Sequence, residues 1–562
     1  MARGGRPWRA WSALGVGMLL VASCSSGTEG GNDDAAPSTA TGAGGQRSVE
    51  YLAPEPGAPT PGGTLAYALE ADADGFDPTT ARWSGPALIM ANAVFDPLAA
   101  FDADGAARPY LAESIEPNDD YTRWTITLRD GVTFQNGESL DAEALALFIT
   151  KMRQSPLTGP AMAPVDETTP AVATGPMTVE VTMTQPWATY PVALTGQGGL
   201  VPAPEQLTNP DAAWRSDNPI GTGPFALQEW VKGSRLTLDR NDAYWQDGLP
   251  YLDNVAFVPI SDNNARDDAL LRGDVDMEFT TFSSSVQRLE PLARAGEIQL
   301  VLDSGGREQL FLLMNNDKAP FDDVRIRKAV ALAFDYDTYL QVAKEPDAIR
   351  SEGPFTRSSP WFVDTDFPTY DLEAAKALVA EYEAEVGPAA FEFRTTDNPE
   401  NQAIGQAIAD MLTAAGMDVT TTSESQTSYP TSIVFGAYEL AYVRLFGSPD
   451  PDGDAHWFLS ENAPPVGQGT IGLNLARMRD AQVDEAIMRG RTSTDRNERA
   501  EAYADLQRRL TELVPYVWMN ESLKYLAADN SVHDFLNGPL PDGTPAMPIV
   551  GGVTRLTHTW KS

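Results

Sequence analysis

The stretch from Asn218 to Trp245 leaves its own backbone few choices. Gly221, Gly223 and Pro224 punctuate a tight turn, Phe225 to Val231 reads as a strand, Lys232 to Ser234 as a reversal, and Arg235 to Arg240 as a second strand. Leu236 and Leu238 point to one face while Arg235, Thr237 and Asp239 point to the other, which is the period-two pattern of a half-buried hairpin. Asn241 is placed to cap a turn or helix ahead of Tyr244 and Trp245. The chain around this hairpin has 562 residues, more than one hydrophobic core usually supports, so two or three lobes are expected.

Apolar content of 42% and charged content of 21% are ordinary for a globular protein. Forty basic residues face 79 acidic ones, a net charge of −39, which disfavours nucleic acid and anionic lipid surfaces as partners and is explained by solubility. The first residues differ from the rest. Arg3, Arg6 and Arg9 precede an uncharged run from Ala10 to Ser23, too short to span a membrane, so 1–23 reads as a secretory signal peptide. It ends in Leu20-Val21-Ala22-Ser23-Cys24, which resembles the bacterial lipobox, and Cys24 is the sole cysteine of the chain. That resemblance implies that Cys24 is lipidated and becomes the mature N-terminus. Ser25 to Pro61, rich in Gly, Ser, Thr, Ala and Pro, has too few large apolar side chains to offset the entropy of ordering, so 24–61 is expected to be a flexible, lipid-anchored tether.

The hairpin also carries a signature. Pro219-Ile220-Gly221-Thr222-Gly223-Pro224-Phe225, followed after the hairpin by Arg240-Asn241 and Tyr244-Trp245, resembles the family 5 extracytoplasmic solute-binding proteins, the peptide, opine and nickel-chelate receptors of ABC importers. Further runs resemble the same family in the same order. They include Val94-Phe95-Asp96-Pro97-Leu98, Trp124 to Phe134, Asn136 to Ala144, and Ile260 to Asp276 with Asp262, Arg266 and Gly273. Pro320 to Val330, with Asp322 as the expected helix cap, and Pro449-Asp450-Pro451-Asp452 continue the series, so the likeness covers roughly 62–530. Tyr370 to Leu378 reads as a helix; Phe391 to Thr395, Pro399 to Ala415 and Met417 to Thr421 read as strand, helix and strand, a βαβ unit.

The resemblance implies an α/β, two-lobed periplasmic-binding-protein-like fold with a discontinuous first lobe, an inserted subdomain and a hinge. Lobe I is expected from 62–82, 201–305 and 520–562, the inserted subdomain from 83–200, and lobe II from 306–519. The hinge is expected near Asp303–Gln309 and Val514–Leu523. It further implies a monomer held at the outer face of the cytoplasmic membrane by its lipid, capturing peptides or peptide-like solutes by closure and delivering them to a permease and ATPase; an oligosaccharide, an opine or a metal chelate is the alternative solute. The residues expected at the ligand are Trp83, Phe282, Arg444, Phe446 and Asp450. Many peptide receptors of the family hold the peptide ammonium with an aspartate where Gly447 stands here, and carry tryptophan where Arg444 stands; Arg444 brings a fork suited to a carboxylate.

An enzyme is the rival class. Three histidines, His456, His533 and His558, leave little for a zinc site or a Ser-His-Asp triad, and the sequence holds no Gly-x-Ser-x-Gly, no His-Glu-x-x-His and no Walker loop. Paired carboxylates of a glycosidase remain a formal alternative. The acidic run Asp450 to Asp454 lacks the closing glutamate of an EF-hand, so neither a metal nor another cofactor is expected.

Overall fold

The computed structural model describes residues 50–562, apart from 55–56, 82, 346–347, 427 and 468–470, and describes 304–307 by their backbone alone. Cys24 and the signal segment lie outside the described residues. Part of the expected tether is structured, because Tyr51 is an apolar side chain with somewhere to pack. Glu50–Tyr51 (β1) pairs with a later strand, Arg294 lies over the Tyr51 ring at 5.6 Å, and Ala53 N–H donates to Gln299 Oε1 at 3.0 Å.

The remaining strands of an 11-stranded sheet are β2 (Thr64–Leu69), β3 (Phe225–Val231), β4 (Arg235–Arg240), β5 (Asn254–Pro259), β6 (Met277–Thr280), β7 (Gln299–Met314), β8 (Ala390–Thr396), β9 (Asp418–Glu424), β10 (Leu440–Leu445) and β11 (Tyr516–Ala528). Their spatial order is β9-β8-β10-β7-β11-β6-β2-β5-β4-β3, with β1 on the side of β7. The hairpin forms as its alternation requires: β3 and β4 pair antiparallel, and Leu236 and Leu238 are buried. β8 runs parallel to both β9 and β10, with helix Pro399–Ala414 crossing between β8 and β9. β7 and β11 are longer than expected, because they serve two cores in succession.

One core packs Phe311, Ile326, Phe393, Leu412, Tyr503 and Trp518. Another packs Leu65, Phe95, Phe225, Leu238, Phe279 and Leu526, drawn from both ends of the chain, and a smaller cluster with Leu289, Leu300 and Tyr525 covers the other face of that part of the sheet. A further core, around Trp124, Ile126, Phe148 and Trp187, belongs to the insertion and its own 4-stranded sheet. Between the first two, β7 and β11 lose register. Asp303 faces Lys524, and the next pair is Glu308 with Ser522.

The signature glycines are explained by contact rather than by a turn of unusual backbone. A Cβ on Gly221 or Gly223 would lie 2.2 or 2.6 Å from Val94 O, so the chain can press there against the end of helix Gly85–Val94. Gln135 of the insertion completes the joint, accepting from Gly221 N–H at 2.8 Å and donating to Val94 O and Phe225 O. Thr222, Tyr244 and Trp245 converge on the buried carboxyl of Asp96, with the Trp245 indole at 2.8 Å and the Tyr244 hydroxyl at 3.2 Å. Burial pushes Asp96 up to about 7 against those donors and the charge of Arg555. In the second lobe, Asp323 rather than Asp322 caps helix Val324–Ala333, accepting from Arg325 N–H at 2.8 Å. Ile326 and Val330 of this helix are fully covered, while Leu332 is only partly buried.

Candidate functional site

A cleft of about 1540 Å³ lies between the two lobes. First-lobe lining includes Glu70, Trp83, Thr281 and Phe282; second-lobe lining includes Glu345, Glu400, Tyr442 and Arg444; β7 and β11 contribute Glu308 and Asn520 to Lys524. Helices place several of these. Ser283–Arg294 starts directly after Phe282, and Pro399–Ala414, capped by Asn398, starts beside Glu400. Clefts between lobes are where ligand sites concentrate.

The floor is a chain of ion pairs. Arg444 Nε lies 2.9 Å from Glu308 Oε2, and its Nη2 lies 3.9 Å from Glu70 Oε2 across the lobe boundary. Lys524 Nζ reaches the other Glu308 oxygen at 3.3 Å and donates to Gly551 O at 2.9 Å. Burial alone would raise Glu308, but Lys524 and Arg444 outweigh it and hold the carboxyl below its usual range. Glu70 also accepts from Thr281 N–H and hydroxyl at 2.7 and 2.8 Å. Asp303 fixes the loop above by accepting from Gly552 N–H at 2.7 Å.

Two further contacts cross the rim. Ser283 Oγ donates to Glu345 Oε1 at 3.0 Å, and Gln287 Nε2 donates to Lys344 O at 3.0 Å. Away from the cleft, the insertion meets the second lobe at Asp452. That carboxylate accepts from Trp187 Nε1 and Thr189 Oγ1, both at 2.6 Å, and pairs with Arg491 Nε at 2.7 Å. Burial would raise it, yet Arg491, Thr189 and Trp187 bring it below the usual range.

Of the residues expected at the ligand, Trp83, Phe282, Arg444 and Phe446 line the cleft, with different degrees of access. Trp83 is mostly committed to packing: its indole donates to Gly75 O at 2.8 Å and stacks on Phe95. Phe446 is buried in an aromatic stack with Phe311 and Phe458 at 5.2 and 4.9 Å. Phe282 is half-buried at the cleft wall. Arg444 is inside the cleft and already paired. Asp450 is not among the lining residues; it pairs with Arg499 at 2.6 Å and caps the short turn Pro451–Gly453, which is what an acid before proline does best. Asp454, buried and pushed up to about 7 by burial, accepts from Gly447 and Ser448 N–H at 3.0 and 2.9 Å and so shapes the cleft loop from beneath. The carboxylates of Asp450, Asp452 and Asp454 thus turn to separate partners. Cys24 lies outside the described residues.

Sequence reasoning missed Glu70, Glu308, Glu345, Glu400 and Lys524. A signal for two of them existed: Asn520-Glu521-Ser522 and Lys524 interrupt an otherwise apolar strand, and Glu308 precedes an equally apolar run. Polar residues inside a fully covered strand need partners across it.

The family model for bacterial extracellular solute-binding proteins, family 5 (middle region), matches residues 106–464. Among similar proteins, di/tripeptide-binding protein 2 of Pseudomonas aeruginosa is 27% identical over 509 residues, covering 85% of this chain and 93% of the relative. Glutathione-binding protein GsiB of Salmonella paratyphi A is 24% identical over 437 residues, covering 76% and 83%. The periplasmic binding protein DppA of Helicobacter pylori, solved with the peptide STSA, has the same two-lobed fold, with a TM-score of 0.77, 22% identity, and coverage of 89% of this chain and 98% of its own. The matched region takes in most of the insertion, the whole signature hairpin, the strand β7 and most of the second lobe, and the chain therefore belongs to the bacterial extracellular solute-binding proteins of family 5.

Proposed function

We propose that the protein is the capture receptor of an ABC importer, taking oligopeptides or peptide-like solutes between its lobes and handing them to a membrane permease driven by an ATPase. The observation that carries this reading is the cleft of about 1540 Å³ with walls from both lobes and two strands as its floor, in a chain whose relatives are named for di- and tripeptides and for glutathione. Such a ligand gains contacts to both lobes only on closure, and that difference between states drives closure. Mass spectrometry of whatever co-purifies, followed by melting curves with the identified compound and with peptides, tests it. A peptide at about 100 times its Kd should add about 2.7 kcal/mol of stability. Turnover of the bound solute, or no response to any peptide, would reject the reading.

The receptor works at the outer face of the cytoplasmic membrane as a monomer, held by acyl chains on Cys24. Among the described residues, no helix is long and apolar enough to cross a membrane. Each buried methylene of a lipid contributes about 0.8 kcal/mol of anchoring. Cys24→Ser should shift the protein from the membrane fraction to the soluble one; retention in the membrane would reject the anchor.

A further inference from the structure

Two of the cations of the cleft, Arg444 and Lys524, are paired with the cleft's own carboxylates. Among the described lining residues the only cations are Arg444, Lys524 and Arg555. Arg444 is shared between Glu308 and Glu70, and Lys524 between Glu308 and a carbonyl. The Arg555 guanidinium lies over the Tyr110 ring at 4.8 Å. A ligand carboxylate approaching Arg444 would meet a guanidinium whose charge is already shared with Glu308 and Glu70, and would bring its own charge close to both of those acids.

Two acids of the same lining, Glu345 and Glu400, are not paired in this way. Glu345 on the second-lobe wall takes only neutral donors, Ser283 Oγ and Asn520 Nδ2, each at 3.0 Å. Glu400, half-buried at the head of helix Pro399–Ala414, forms no ion pair with an arginine or lysine among the described residues. Burial holds both carboxyls above the usual range, against the Ser283 bond on Glu345, whose position is raised further by Glu400, and against the charge of Lys344 on Glu400. Glu345, Glu400 and Tyr442 all line the cleft, and Asn520, which donates to Glu345, also accepts from the Tyr339 hydroxyl at 2.6 Å; Tyr442 feels the charge of both acids. A low-dielectric wall carrying uncompensated charge of one sign concentrates solutes of the other and penalises solutes of its own.

We propose that the solute is a peptide-like cation, whose ammonium or guanidinium side chain seats against Glu345 and Glu400 beside Tyr442, and that Arg444 serves as an internal counter-charge for Glu308 and Glu70 and not as an anchor for an acidic end. This rests on the peptide reading above and narrows it to one class of peptide. The overall charge of −39 acts in the same direction on encounter, drawing in cations and repelling anions at low salt.

The test uses matched alanine-based tri-, tetra- and pentapeptides with lysine, alanine or glutamate at one central position, titrated into the intact protein by calorimetry and followed by melting shift. The lysine member of at least one length should bind about tenfold or more tighter than its alanine counterpart, and the glutamate member weaker still. Rising salt should narrow that gap. Glu345→Gln and Glu400→Gln should each remove most of the lysine-over-alanine preference, and an unchanged circular-dichroism spectrum shows that the fold survives the change. Equal affinity across the three charges, preference for glutamate, or an undiminished lysine preference in both variants would overturn the proposal and leave the peptide reading standing. Failure of every peptide to bind would overturn both.

Discussion

A methyl group on Gly223 would sit 2.5 Å from the carbonyl carbon of Val94 and 2.6 Å from its oxygen. Neither is a flexible side-chain end that can swing aside, so Gly223→Ala must push the hairpin off helix Gly85–Val94. The expected cost is about 1–3 kcal/mol, read as a lower denaturant midpoint with an unchanged slope; a midpoint within error of the parent would show that the joint gives way freely. The sequence placed glycine here correctly and for a different reason, since a turn and a close approach ask for the same residue. Arg444 teaches a related lesson. Its position on the cleft wall was legible, but its partners were not, because Glu70 and Glu308 are remote in sequence and nothing in a local pattern pairs them with it. Asp450 was legible as an acid before proline, and that local role is the one it fulfils.

At the scale of elements, the junction of the insertion with the second lobe concentrates much of its polar bonding on one carboxylate. Asp452 is buried among Trp187, Thr189 and Arg491, and removing it leaves the Arg491 guanidinium covered and without its anion. Asp452→Ala should therefore destabilise the protein by about 3–5 kcal/mol, whereas Thr189→Val, which removes one donor from a carboxylate that keeps two, should cost far less. Comparable losses in chemical denaturation for the two variants would show that the ion pair is not what matters. The helix read over Pro399 to Ala415 was legible to within a residue, and it is found at Pro399–Ala414, with Asn398 capping its start. β7 and β11 were readable only in part. Each was placed as an expected hinge segment, Asp303–Gln309 and Val514–Leu523, while the polar middle, which faces the cleft, breaks the pattern on which recognition of a strand depends.

For the whole molecule, closure and titration give separate predictions. The two lobes join through β7 and β11 at the register break between Asp303 and Glu308, and a ligand contacting both walls should favour the closed arrangement. Small-angle scattering at saturating ligand should show a smaller radius of gyration, and superimposable curves with and without ligand would remove the hinge from that segment. The pH prediction rests on three buried carboxyls raised by burial: Asp96 and Asp454 to about 7, and Glu278 to about 8, with the charge of Asp267 adding to burial in the last case. The folded state keeps these protons where the unfolded chain releases them above about pH 4, so their contribution is complete below that pH and declines as pH rises through 7–8. Asp452 and Glu308 are lowered instead, and what they add is lost on acidification below about pH 4. The melting temperature should accordingly be higher at pH 5.5 than at pH 8; equal values, or a rise toward pH 8, would contradict the burial of those three groups. The two-lobed architecture was legible in the sequence because its motifs recur in a fixed order, whereas the charge balance of the cleft was not, since it depends on which of 79 acids meet which of 40 bases.

β11 lies between β7 and β6, and Tyr516 to Met519 and Leu526 to Ala528 fill two different cores from this single strand. A growing chain therefore has neither lobe complete until almost its last segment has been made. β2, formed from residues near the start of the folded body, must wait through most of synthesis for a sheet that is whole on both sides. Early ribosomal products would be long, open and easily cut by proteases, and the change to a resistant form should come abruptly, once residues beyond Ala528 have emerged.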